Sequence, residues 1–315
     1  MNRIFHPCLS VLGLATTALL AIASPLMAEP VLERVERTGV LTAGTRTDAA
    51  PLAYQTPEGE WQGYAVELLN DMRAELEQEL GRPIVLQLEA VDVGDRFQRV
   101  ADGELDLACG STSTALERER LIDFSLSYFV TGTQVLTLRE GDISGTTLRI
   151  GVISQTTNLF FIEDHFPIAQ FIEVENRAEG LSALESGRID ALASDGILLE
   201  GLRQQTTDPA SYVVYPSTPL NTETYSCILP EGDTAFQQLV NRVLVTEMQG
   251  VVERETPHAE RFDRWFGEAG ITPIDTDPVL QHFRETLTIH NNAHSPTAEP
   301  AVSESVPNST APARN

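Results

Sequence analysis

One local arrangement constrains this chain more than any other: a strand, a hydroxyl-rich turn and a helix start in direct succession, used twice. Leu105, Leu107 and Cys109 form a buried-type strand. Gly110, Ser111, Thr112, Ser113 and Thr114 follow, and then a charged turn carrying Arg118. Further on, a strand over 148–153 runs into Ser154, Gln155, Thr156 and Thr157 and a helix over 158–165. Helix starts leave backbone N–H groups unpaired, so they attract anions. Arg118 adds a guanidinium fork suited to a carboxylate. The plainer reading of the first turn is a helix cap, with Ser113 or Thr114 capping and Glu117 at capping-box spacing. Both readings stand at this point.

The surrounding pattern is that of two α/β units. The first reads as a helix over 32–38, a strand over 40–44, a helix entered near Tyr64 and a strand over 84–88. A helix over 95–101 and a strand over 105–109 complete it. Ala65, Leu68, Leu69, Met72, Leu76 and Leu80 fall at helical spacing, and Gly81 and Pro83 stop that helix. A long strand is expected over 129–138. The second unit follows it, with strands over 148–153, 171–174 and 189–193 and helices over 158–165, 178–186 and 197–205. Strands over 212–215 and 225–229 and helices over 234–249 and 260–266 come next, then a helix over 279–289. Alternating strands and helices imply mostly parallel sheets. In such sheets ligands bind beyond the carboxyl ends of the strands. Both hydroxyl-rich turns, Arg46 and Asp195 lie at such ends, which points to one shared cleft.

Charge and termini narrow the function. The 315 residues carry a formal net charge of −25. That excludes a basic nucleic-acid footprint and an anchor on anionic lipid. It leaves an anionic ligand open, because a pocket answers to its local charges. Residues 1–28 read as a secretory signal peptide: Arg3, an uncharged apolar run from Leu9 to Ile22, then small residues up to Ala28. The mature chain is therefore expected to be exported and soluble. Export leaves Cys109 and Cys227, which an oxidising compartment permits to pair; two buried free thiols are the equal alternative. Residues 290–315 are rich in Ser, Thr, Ala, Pro and Asn and read as a disordered tail. The histidines show no metal-ligand spacing, no Gly-rich phosphate loop occurs, and no Ser/His/Asp triad is evident. Neither a cofactor nor a metal is expected.

The residues also resemble a known family. Gly110-Ser111-Thr112-Ser113, Glu117-Arg118, Ile122-Asp123-Phe124-Ser125 and Tyr128 look like the signature of the polar amino-acid solute-binding proteins of ABC importers, bacterial family 3. Gly63-Tyr64, residues 184–191, Asp195 and Trp265-Phe266-Gly267 match in order. The glutamate/aspartate-binding subgroup looks nearest, on Ala43-Gly44-Thr45-Arg46, Cys109 to Thr112, residues 131–137 and Tyr225-Ser226-Cys227. The resemblance implies the two-lobed periplasmic binding protein fold of type II with two hinge strands. Lobe I would be 29–134 plus 223–275, lobe II 135–222, and 276–315 a largely disordered extension.

The same resemblance implies roles. Arg118 would grip the ligand α-carboxylate, aided by Ser111, Thr112 and Ser113, with Thr156 and Thr157 contributing from the other lobe. Asp195 would accept from the α-ammonium. Arg46 would hold a distal carboxylate, and Arg177 either reaches the ligand or faces solvent. Gln155 stands where relatives commonly have glycine. Tyr54 and Phe129 read as pocket walls or, more commonly, core aromatics. A zwitterion needs a cationic clamp and an anionic acceptor close together, since either charge buried unpaired is costly. The expected protein is a monomeric, non-enzymatic periplasmic receptor that delivers L-glutamate or L-aspartate to an inner-membrane permease. A glutamine or general polar amino-acid receptor is the alternative. A cyclohexadienyl-dehydratase-like enzyme on the same fold is a further one.

Overall fold

The chain passes twice between two five-stranded sheets, and those crossings position everything else. A computed structural model describes residues 29–114, 120–139 and 148–294. The expected signal peptide, Arg118 and residues 295–315 of the expected tail lie outside the described residues.

Lobe I opens with α1 (Val31–Thr38) and β1 (Val40–Thr45), and α2 (Tyr64–Leu80) and β5 (Val85–Ala90) follow. Between them, β2 (Asp48–Ala49), β3 (Ala53–Gln55) and β4 (Trp61–Gln62) form a small antiparallel sheet absent from the sequence reading. Next come α3 (Arg96–Ala101), β6 (Leu107–Ala108) and β7 (Ile122–Phe124). After the chain returns from lobe II, β15 (Ile228–Pro230) completes the sheet in the order β5-β1-β6-β15-β7. The first three strands of that order run parallel, and β15 pairs antiparallel with both neighbours.

The long strand expected over 129–138 is two strands in two sheets: β8 (Phe129–Thr131) and β9 (Thr133–Leu138), broken at Gly132. A Cβ on Gly132 would sit 1.9 Å from the Asn221 carbonyl oxygen, so only glycine lets the two crossings lie this close. β9 enters lobe II, where β10 (Arg149–Val152), β11 (Gln170–Glu173), β12 (Ala191–Asp195) and β13 (Tyr212–Tyr215) make the sheet β11-β10-β12-β9-β13. Its helices are α4 (Thr157–His165), α5 (Arg177–Glu185) and α6 (Gly196–Gln204). The return crossing ends in β14 (Glu223–Tyr225), which pairs antiparallel with β8 to form the two-stranded hinge.

The main core lies in lobe I, between its sheet, α2, α7 (Thr234–Val252), α8 (His258–Phe266) and α9 (Asp277–His294). Phe129 belongs to this core, stacked on Tyr225 with ring centroids 6.3 Å apart. The last helix begins before and ends after the expected 279–289. Its buried stripe of Val279, Phe283 and Leu287, spaced four residues apart, joins that core, so residues 277–294 form a packed helix where a largely disordered extension was expected from 276. The lobes are closed on each other. Ile197 and Leu198 of α6 pack into the lobe I core, and a Cβ on Gly201 would lie 2.2 Å from the Ala50 carbonyl oxygen. Cys109 and Cys227 form a disulfide that ties the end of β6 to the segment between β14 and β15.

Candidate functional site

Each functional side chain sits where a strand of one sheet ends or a helix begins. The inner cavity between the lobes is lined by Arg46, Val93, Arg96, Ser111 and Ser113 from lobe I. Thr156, Thr157, Asn158, Arg177 and Asp195 line it from lobe II. Seven of the nine residues expected at the site therefore meet in one place. Of the other two, Arg118 lies outside the described residues. Thr112 is buried and its carbonyl accepts from the Ser226 N–H at 3.1 Å, so it is absent from the lining.

Arg46 follows β1 and is only 6% exposed. Its Nε and Nη2 donate to Asp48 Oδ1 at 2.9 and 2.6 Å, and its Nη1 donates to the Val91 carbonyl at 3.4 Å. Arg177, the first residue of α5, is equally buried and faces the cleft rather than solvent. Its Nε donates to Ser194 Oγ at 3.1 Å and its Nη1 to Asp48 Oδ2 at 3.3 Å. Burial alone would raise the pKa of Asp48. The guanidiniums of Arg177 and Arg46 outweigh that and hold its carboxyl below the usual value.

Asp195 closes β12 at the start of α6. Its Oδ1 accepts from Asn158 Nδ2 at 2.9 Å and its Oδ2 from the Tyr225 hydroxyl at 2.7 Å. Burial, then the charge of Glu223, push its pKa up from 3.8 to about 6, against the pull of Tyr225, Asn158 and Arg177. Glu223, on the hinge strand β14, accepts from Ser113, from Thr157 Oγ1 at 2.7 Å and from Asn221 Nδ2 at 3.1 Å. It thus ties the first hydroxyl-rich turn to the second across the cleft. Thr156 caps α4, accepting from the Leu159 N–H at 3.4 Å and donating to the Ile153 carbonyl at 2.7 Å.

Gln155 has a φ of 62°, in the left-handed region where glycine carries no steric cost, so the backbone here suits the glycine that the resemblance implies at this position. It lines an outer cleft of about 580 Å³ together with Arg46, Asp48 and Asp92, not the inner cavity. The inner cavity encloses about 20 Å³, little more than one water sphere. A larger solute therefore enters only when the lobes part.

The sequence reading missed Val93 and Asn158 of the lining and three charged residues in or beside it. Arg96 starts α3, is buried and lines the cavity, with its guanidinium carbon 5.1 Å from the Phe97 ring centroid. It lies just beyond the carboxyl end of β5, so the strand-end rule that found Arg46 also flags it. Asp48 stands two residues from Arg46, and Glu223 stands in a strand where an acid is out of place. A separate cavity of about 740 Å³ lies behind the hinge, lined by β8, α6 and α9 residues. No group of three or more His, Cys, Asp or Glu able to hold a metal ion occurs among the described residues.

Residues 41–268 match the family described as bacterial extracellular solute-binding proteins, family 3. A similar protein in Pseudomonas aeruginosa is its L-glutamate/L-aspartate-binding protein, 28% identical over 92% of this chain and 97% of that one. The cyclohexadienyl dehydratase of the same organism is also 28% identical, over 81% of this chain and 95% of the enzyme. Among solved structures, an ABC uptake transporter substrate-binding protein from Streptococcus pneumoniae with bound histidine superposes with a TM-score of 0.65. It is 18% identical, and the match covers 79% of this chain and all of that one.

Proposed function

Because the chain belongs to the bacterial extracellular solute-binding proteins of family 3, we propose that it is the receptor of an amino-acid ABC importer that closes on L-glutamate or L-aspartate. The observation that carries this reading is the division of charge around the inner cavity. Arg46, Arg96 and Arg177 supply buried guanidiniums, and Asp195 supplies a buried carboxyl. A ligand with two carboxylates and one ammonium matches that division, and guanidinium forks suit carboxylates better than amides do.

In this reading Arg118, with Ser111 and Ser113, grips the α-carboxylate, and Thr156 and Thr157 meet it from lobe II. Asp195 accepts from the α-ammonium, and Arg46, Arg96 and Arg177 surround the distal carboxylate. Both lobes touch the ligand only when closed, so binding favours closure. The chain is exported by residues 1–28, works outside the inner membrane as a monomer, and hands its ligand to the permease. The glutamate/aspartate-binding relative supports the substrate class.

A second reading rests on the raised pKa of Asp195, which would suit a general acid, and on the dehydratase relative. It is the weaker one, because both oxygens of Asp195 already accept hydrogen bonds, as an ammonium-binding carboxylate does. A thermal-shift panel tests the receptor reading: all twenty amino acids, plus prephenate, against ligand-stripped protein. Stabilisation by glutamate and aspartate above all others is expected. Stabilisation by prephenate alone, with its consumption, would favour the enzyme.

A further inference from the structure

Among the described residues, one ion pair joins the two lobes: Asp48 of lobe I with Arg177 of lobe II, Oδ2 to Nη1 at 3.3 Å. The same carboxylate holds Arg46 through Oδ1, with Nε at 2.9 Å and Nη2 at 2.6 Å. Asp48 therefore receives from these two arginines what a ligand's distal carboxylate would require of them. Resting on the receptor reading above, we propose that Asp48 is an internal competitor for the distal-carboxylate subsite. It bridges Arg46 and Arg177 until an acidic ligand displaces it, and so sets how strongly the site prefers acids to amides.

The geometry separates competition from mere positioning. Each arginine has a second anchor that does not involve Asp48: Arg46 donates to the Val91 carbonyl and Arg177 to Ser194 Oγ. Both guanidiniums thus keep their direction when Asp48 lets go. Asp48 is also charged, because its two arginines hold its pKa below the usual value. A second carboxylate brought beside it meets like-charge repulsion as well as a shared pair of donors. A neutral amide meets no such repulsion and presents one acceptor oxygen rather than two to those donors. The cost of Asp48 therefore falls on glutamate and aspartate and spares glutamine.

The test compares wild type, Asp48→Asn and Asp48→Ser in calorimetric titrations with L-glutamate and L-glutamine, with the folding of each variant checked by circular dichroism. Glutamate affinity should rise at least tenfold in both variants while glutamine changes less than threefold. The serine variant, which leaves space as well as removing charge, keeps the test alive should the asparagine variant fold poorly. An unchanged glutamate-to-glutamine ratio in variants of a wild type that binds acids would overturn this inference alone. So would a loss of glutamate affinity, since Asp48 would then serve only to hold Arg46. A wild type that binds neither L-glutamate nor L-aspartate, titrated alongside, would overturn the receptor reading and this inference together.

Discussion

The Tyr225 hydroxyl, on the hinge strand β14, donates to Asp195 Oδ2 at 2.7 Å, so the lobe II carboxyl at the cavity is held by the hinge itself. Burial, then the neighbouring Asp195, raise the Tyr225 pKa well above its usual value, so it remains a donor at every working pH. The contact links the cavity to the strand pair that joins the two lobes.

That link carries a pH dependence. Asp195 titrates at about 6 in the closed form, above its ordinary 3.8, so the closed form favours its protonated state. Its contribution to stability is fully present below pH 3.8 and is lost as the pH rises through about 6. An α-ammonium beside Asp195 favours the carboxylate instead, so binding expels a proton within that window. Amino-acid affinity should fall as the pH drops from 6 to 4. Calorimetry at pH 5 in two buffers of different ionisation heat reads this directly. Proton uptake, or heats independent of buffer, would count against the role given to Asp195.

Gly132 is the point where the two crossings touch. A methyl there meets the Asn221 carbonyl oxygen at 1.9 Å, which is backbone and cannot swing away. Gly132→Ala should cost about 1–3 kcal/mol through overpacking. It should also displace the hinge, because Leu220 and Asn221 both bond the backbone of Thr133. Urea unfolding measures the first effect and small-angle scattering the second. A variant matching wild type in both would show that the crossings are not packed this closely.

The Cys109–Cys227 bridge closes a separation of 118 residues. Loops of that length lose substantial entropy on cross-linking, so reduction should lower stability by about 2–5 kcal/mol. Denaturant midpoints with and without reductant give the value. Coincident midpoints would mean that the sheet and hinge hold this region without the bridge.

Much of this was legible in the residues, for reasons that can be named. The strand, hydroxyl turn and helix succession marks Ser111, Ser113, Thr156 and Thr157 because strand ends and helix starts are where α/β sheets expose polar backbone. Helix periodicity marks α2 and α7 through their buried stripes. The small sheet of β2, β3 and β4 was not legible, since strands of two and three residues have no period to read. The break at Gly132 was hidden because Val and Thr continue on both sides of it. Arg96 was passed over as an ordinary helix-start arginine, although its place beyond the carboxyl end of β5 is the signal that marks it. Glu223 was hidden because its burial is set largely by partners on two distant segments, Ser113 and Thr157, beside its near neighbour Asn221. Arg177 was undecided between solvent and ligand. The contact across the lobes that helps bury it is a tertiary fact, carried by Asp48 of lobe I.

The central claim is that three arginines make this cavity a receptor for acidic amino acids. Isothermal titration of the protein, stripped of ligand by unfolding and refolding, with glutamate, aspartate, glutamine and asparagine tests it most directly. The account predicts saturable binding of the two acids, with the two amides at least tenfold weaker. Amides bound as tightly as the acids, or more tightly, would contradict it and would mean that the guanidiniums of Arg46, Arg96 and Arg177 serve the lobes rather than the ligand.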